Sequence, residues 1–159
     1  MLRHSIVMRA FRVADRRFSL FDGTGARLLG GRWNSPGRGL IYAAETFSGA
    51  LLEVLVHANL GRVPKTHAFI EIAIPEVVTI ELLLGVDLPG WDADDQEVSR
   101  AFGDRWISER RSAVLLAPSV ITRGRERNVL INPDHADFSK ITASRPQDVQ
   151  WDKRLFAKQ

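Results

Sequence analysis

The 159-residue chain has no cysteine, one tyrosine and two methionines. Without cysteine, disulfides and thiolate metal sites are excluded, a composition suited to a reducing compartment. No apolar run approaches the roughly 20 residues that a membrane-spanning helix needs. The first twelve residues are broken by Arg3, His4, Arg9 and Arg12 before a signal-peptide core could form. A cytoplasmic location is therefore expected. The four histidines, His4, His57, His67 and His135, lack paired ligand spacing, so no metal is expected. Also missing are the GxxxxGKS/T phosphate loop, a GxGxxG turn between a strand and a helix, and the GxSxG nucleophile elbow. Chemistry is left to polar residues at the ends of elements.

What is present suits one folded domain over 1–159: 45% of residues are apolar and 26% charged, enough for a single core. The net charge of +3 is unevenly placed. Residues 1–40 hold eight arginines against Asp15 and Asp22, whereas Glu76 to Asp104 holds eight acids and only Arg100 as a base. Such asymmetry predicts an anionic ligand at one end and a solvated or partner-binding face at the other.

Ile6 to Val13 reads as a strand, Asp15 to Leu29 as loop, and Leu40 to Ala43 as a second strand ending near Tyr42. Thr46 or Ser48 caps a helix reaching about Asn59, with Gly61 as its stop. Its apolar residues cover nearly the whole circumference, so a buried helix is expected. Alternation in HAFIEIAI, residues 67–74, predicts a strand, and Val77 to Leu82 a further β segment. Asp92 to Arg111 carries helical spacing behind an acidic first turn. Strands at 113–117 and 128–131 flank an arginine-rich hairpin, and Trp151 and Phe156 are expected to dock the tail. Strands and helices do not alternate regularly, which disfavours a doubly wound parallel sheet and favours an α+β fold with a split, mainly antiparallel sheet and flanking helices.

The chain is organised around residues 30–57, GGRWNSPGRGLIYAAETFSGALLEVLVH. A cationic glycine loop there leads through a short strand into a helix with one acid, Glu53. No lysine or arginine lies three or four residues from Glu53 on that helix, so an ordinary intrahelical pair is excluded. A buried, unpaired carboxylate costs several kcal/mol or shifts its pKa. Polar residues at element ends form the candidate set: Arg12, Arg32, Tyr42, Glu53, Ser119, Asn128 and Asn132. Taken singly, Arg32 is an ordinary surface charge, Tyr42 a core ring and Ser119 a turn residue. Together, arginines for a pyrophosphate, a ring for a heterocycle and a carboxylate for a ribose suit cleavage of an N-glycosidic bond through an oxocarbenium-like transition state.

The ordered set GGRWN, IYAAE, ALLEVL, PS and NP, within residues 30–57, LLAPSVI and NVLINPDHADF, resembles the RES domain, the toxin half of bacterial RES-Xre toxin–antitoxin pairs. The likeness covers almost the whole chain. It implies an ADP-ribosyltransferase-like fold and NAD as substrate, cleaved at the nicotinamide bond by a glycohydrolase or phosphorylase. The alternative it implies is transfer of ADP-ribose to a specific protein. Arg32, Tyr42, Glu53 and Ser119 fall on the family's active-site positions, and Arg12 and Asn132 on further binding positions. The implied partner is an Xre-type DNA-binding antitoxin that masks the site, with the acidic stretch after Glu76 a candidate for its docking; a homodimer within that complex is left open. Direct nucleic-acid binding is disfavoured, because the basic N-terminal third lacks a series of stacking aromatics.

Overall fold

The alternation in HAFIEIAI does what its period requires: residues 67–74 point successively to opposite sides of a pleated strand, and Ile70, Ile72 and Ile74 are buried. The computed structural model describes residues 6–57 and 62–156. In chain order they form β1 (Ile6–Asp15), α1 (Thr24–Leu29), β2 (Ile41–Ala44), α2 (Phe47–His57), β3 (His67–Pro75), β4 (Ile80–Leu82), α3 (Glu97–Glu109), β5 (Val114–Pro118), β6 (Arg127–Ile131), β7 (Thr142–Ala143) and β8 (Gln147–Asp148), with three short 3-10 turns.

The strands make one sheet in the order β4-β5-β6-β2-β1-β3-β7, with β8 also on β3. Among the described pairings all are antiparallel except β4 with β5, so the expected α+β architecture with a mainly antiparallel sheet holds. Alternation sorts the core. Ala10, Ile41, Ile70, Ile72, Val114, Val129 and Ile131 project to one face and form a single cluster around which the sheet curls. The other face carries two clusters. Trp33, Trp106, Leu115 and Leu130 pack under α3, while Val13, Ala44 and Ala50 join Phe11, Phe47 and Phe69 under α2.

The boundary between those clusters is the joint of β1 and β2. β1 runs against β3 over nearly its full length, but it meets β2 in the single register pair Phe11–Ala44. The sheet is continuous there and nearly split. A strand pair that separates after one residue leaves backbone and side chains facing an opening, and this joint is where the cavity described below lies.

Several expectations need correction. Asp15 to Leu29 is not all loop: Thr24–Leu29 forms α1, a helix with no buried residue and hence no apolar face to announce it. α2 is capped as expected, Thr46 Oγ1 accepting from Gly49 N at 2.9 Å, but it is not wholly buried. Only Ala50 is fully enclosed, while Leu52 is 42% and Val56 60% exposed, because one side rests on the sheet and the other borders the opening. Its expected last turn and the stop at residue 61 lie outside the described residues. α3 starts at Glu97 rather than residue 92, since Gln96 adopts a left-handed conformation (φ 61°) that breaks the helical path. The β segment expected at 77–82 is reduced to 80–82, because Val78 N closes a turn onto Pro75 O at 3.1 Å. The tail docks as expected: Phe156 is buried, with its ring 5.7 Å from that of Trp151. Among the described residues no helix is long and apolar enough to cross a membrane.

Candidate active site

The glycine loop between α1 and β2 is held by one buried side chain. Asn34 is fully enclosed; its Nδ2 donates to the carbonyls of Ala26 (2.8 Å), Arg38 (2.8 Å) and Ser35 (3.2 Å), and its Oδ1 accepts from the Tyr42 hydroxyl at 2.6 Å. The same hydroxyl accepts from Trp33 N at 3.0 Å. Burial pushes the Tyr42 phenol well above its ordinary value, so it is no proton carrier near neutrality. Helix α3 closes over the loop. Ser99 Oγ donates to Arg32 O at 2.9 Å, and Asp104 accepts from Ser35 N at 2.8 Å. A Cβ on Gly103 would lie 1.7 Å from Trp33 O, so the helix reaches this carbonyl only because residue 103 has no side chain.

Arg32 leaves that loop toward the opening, its Nη1 donating to the carbonyls of Trp91 (3.2 Å) and Ala93 (3.0 Å). Arg38, the loop's other arginine, turns instead to Asp104, 3.7 Å away. A cationic loop thus presents a single arginine to the cavity, oriented by backbone carbonyls that cannot neutralise its charge.

The cavity at the β1–β2 joint has a volume of about 660 Å³, within the range of small-molecule sites. β1 contributes Arg12, the loop Arg32, β2 Tyr42, α2 Glu53 and His57, β3 His67, and β6 Asn128; Leu29, Val54, Val120 and Ile121 supply apolar wall. Arg12 donates Nη1 to Tyr42 O at 2.9 Å across the joint, yet its buried Nε has no partner. Burial lowers its pKa, opposed by the charge of Asp22. Burial also pushes Glu53 up, opposed by the nearby Asn128 side chain and by the charges of His57 and Arg32. Five buried side-chain N or O atoms among the described residues lack a partner, and three of them, Arg12 Nε, Trp33 Nε1 and His67 Nδ1, belong to residues lining this cavity. Buried polar groups are normally paired, so such a concentration marks a place built for something else to complete.

Of the residues singled out in the sequence, the structure brings Arg12, Arg32, Tyr42, Glu53 and Asn128 to one cavity. Two stand apart. Ser119 is buried in the turn after β5, its N donating to Glu126 O at 3.0 Å and its Oγ accepting from Thr122 N at 3.4 Å; its neighbours Val120 and Ile121 reach the wall, and it does not. Asn132 is fully buried just beyond β6, where its Oδ1 accepts from Asp134 N at 3.0 Å. It lies four residues from the cavity-lining Asn128, roughly 13 Å along an extended chain. His67 and Gln96 are polar wall residues that the sequence did not single out. Neither carries a local signal of its own: His67 opens an alternating strand and Gln96 precedes a helix, and only the fold turns them to the cavity. No cluster of three or more metal-ligating side chains occurs among the described residues.

Comparison with known proteins gives concordant findings. A family model described as the RES domain matches residues 7–152. The chain is 41% identical over 141 residues to the Prs ADP-ribosylating toxin of Sphingobium sp. (strain YBL2), covering 86% of this chain and 87% of that protein. It is 36% identical over 139 residues to Toxin Res of Pseudomonas putida KT2440, covering 85% and 92%. Its fold is similar to a chain in the crystal structure of the M. tuberculosis MbcT-MbcA toxin-antitoxin complex, with a TM-score of 0.69 at 17% identity over 92% of this chain and 86% of that one.

Proposed function

Because the chain belongs to the RES domain family, we propose that it is the toxin of a toxin–antitoxin pair and that it cleaves NAD at the nicotinamide–ribose bond. The observation that carries this reading is the placement of Glu53 in one partly apolar cavity with two arginines and the Tyr42 ring. The arginines suit a pyrophosphate, Arg32 offering a planar donor edge and Arg12 a desolvated charge with an unused donor. The Tyr42 ring, fixed by its hydroxyl, is a surface for nicotinamide or its ribose. Glu53 holds the ribose 2′-hydroxyl. As the C1′–N bond breaks, its electron pair leaves with the nicotinamide ring and positive charge develops at C1′. A carboxylate in a low-dielectric cavity stabilises that charge more than it stabilises the ground state. Water or phosphate then adds at C1′, a proton is released, and NAD is depleted until growth stops. Ser119 and Asn132 act from behind the wall, shaping the β5–β6 turn and the end of β6.

The name of the Sphingobium relative supports a second reading in which a protein side chain takes the ADP-ribose. It uses the same residues up to departure of nicotinamide. Either activity calls for an antitoxin over the cavity, and we assign this role to a DNA-binding partner of the Xre type, in the cytoplasm.

Incubating purified, antitoxin-free protein with NAD tests the proposal. Free nicotinamide without a labelled protein band supports hydrolysis or phosphorolysis, and a discrete band from labelled NAD supports transfer. Glu53→Ala is expected to lower nicotinamide release by about 100–1,000-fold, the scale of losing one transition-state stabiliser. Full activity in that variant would falsify the mechanism.

A further inference from the structure

We propose that Gln96 is a further ligand-binding residue of this cavity, its side-chain amide donating to the same pyrophosphate group that Arg32 grips. The inference rests on the reading of the cavity as a site for a pyrophosphate-bearing nucleotide, and it gives a task to a wall residue that the reading leaves idle.

Backbone strain first sets Gln96 apart. Three described residues other than glycine have positive φ: Gln96 (61°), Arg110 (51°) and Arg123 (56°). Arg110 ends α3, where a left-handed residue is a common way to close a helix, and Arg123 precedes the left-handed Gly124 in the turn between β5 and β6. Gln96 instead stands before the first residue of α3, a position that ordinarily takes an extended conformation. Of the three, it alone lines the cavity. A long side chain in this conformation is disfavoured relative to glycine, and such costs gather where ligands are held.

Its contacts decide what it presents. Gln96 Oε1 accepts from Arg100 Nη2 at 3.0 Å, and Arg100 is tied to the glycine loop by Nε, 3.4 Å from Gly31 O. Because a guanidinium can only donate, the amide oxygen faces it and the Nε2 donor is turned away. This is the one hydrogen bond of the Gln96 side chain among the described residues. The backbone of Gln96 is bound up with Arg32. Ala93 O accepts both from Gln96 N at 3.1 Å and from Arg32 Nη1 at 3.0 Å, while the Ser99 hydroxyl lies 2.9 Å from Arg32 O and 3.2 Å from Gln96 O. Two wall residues, one a charged planar donor and one a neutral donor, are thus held side by side. Asp92, Asp94 and Asp95 of the same turn are exposed and off the wall, so the turn offers the cavity its amide and not its carboxylates.

The test is calorimetric binding of ADP-ribose, which keeps the pyrophosphate and lacks the bond to be broken, beside thermal melting of Gln96→Gly and Gln96→Glu. Glycine removes the donor and relieves the backbone, so Tm is expected at or above that of the wild type while affinity falls about 10-fold. Glutamate keeps the reach and the contact to Arg100 but turns a carboxylate toward phosphate, and affinity falls further, by about 100-fold. A residue that served folding alone would do the reverse, losing Tm as glycine and leaving affinity intact as glutamate. Unchanged ADP-ribose affinity in Gln96→Glu overturns the proposal. A wild type that releases no nicotinamide from NAD sinks the functional reading but not the pair: inorganic pyrophosphate then serves as the probe, as it does if ADP-ribose is not held. Weaker pyrophosphate binding by both Gln96→Glu and Arg32→Ala supports the paired site, whereas equal binding by Gln96→Glu and the wild type, or none by the wild type, ends it.

Discussion

The glycine loop under α3 and the wall formed by β1 and α2 border the same cavity and are built on opposite terms. In the loop most polar groups find partners, the buried Nε1 of Trp33 excepted: the Asn34 side chain alone makes four hydrogen bonds, Tyr42 makes two through its hydroxyl, and Ser99 and Asp104 tie the backbone down from α3. On the wall Arg12 keeps an unused buried donor, His67 an unpaired nitrogen, and Glu53 a carboxyl held against its preference for water. The first region acts as scaffold, and the second holds desolvated groups that the fold alone does not satisfy. Functional sites are where such departures from local consistency concentrate.

Substitutions on each side sharpen that contrast, and the largest effect is expected at the scaffold. Gly103→Val places a Cβ where Trp33 O already sits. It is expected to destabilise by about 3 kcal/mol or more, read as loss of soluble protein or a collapse of the urea midpoint. Asn34→Ala removes the donor to three part-buried carbonyls and the acceptor of the Tyr42 hydroxyl, a loss of about 2–4 kcal/mol by the same measurement. Wild-type stability in this variant would mean that the loop is not held as described.

Across the cavity the sign reverses. Arg12→Met exchanges a desolvated cation for an apolar chain of similar reach, so its Tm is expected at or above that of the wild type. NAD affinity, followed by calorimetry, falls about 10-fold or more as a charge-assisted contact is lost. A clear drop in Tm would place Arg12 with the scaffold instead. Glu53→Gln is the subtlest test. The folded protein holds this carboxyl above its ordinary 4.5, so ionising it works against the fold. Stability associated with the protonated acid is fully present below that value and is lost as pH rises through the folded one. Glu53→Gln should therefore melt above the wild type at neutral pH and lose that advantage in acid, as thermal scans across pH will show.

The sequence by itself determined the longer strands, because alternation such as that of residues 67–74 is a local consequence of burying one face; the two-residue β7 and β8 are too short to show a period. It also narrowed the helix cap to Thr46 or Ser48 and isolated Glu53 from any intrahelical partner, since both depend on spacing along one element. Helix α1 was not legible, having no buried face to leave a period, and the exposure of Leu52 and Val56 was misjudged because apolar character does not say which side a sheet will cover. Tertiary structure alone decided the site's membership. It parted β1 from β2 after one pair, turned Arg12 back across the gap, left Ser119 and Asn132 off the wall, and brought Asn128 to the cavity that Glu53 lines. They depend on strand register and on contacts between residues 30 to 82 positions apart, among them the clamp through Glu45, Thr46, Glu126 and Arg127. No local pattern encodes them.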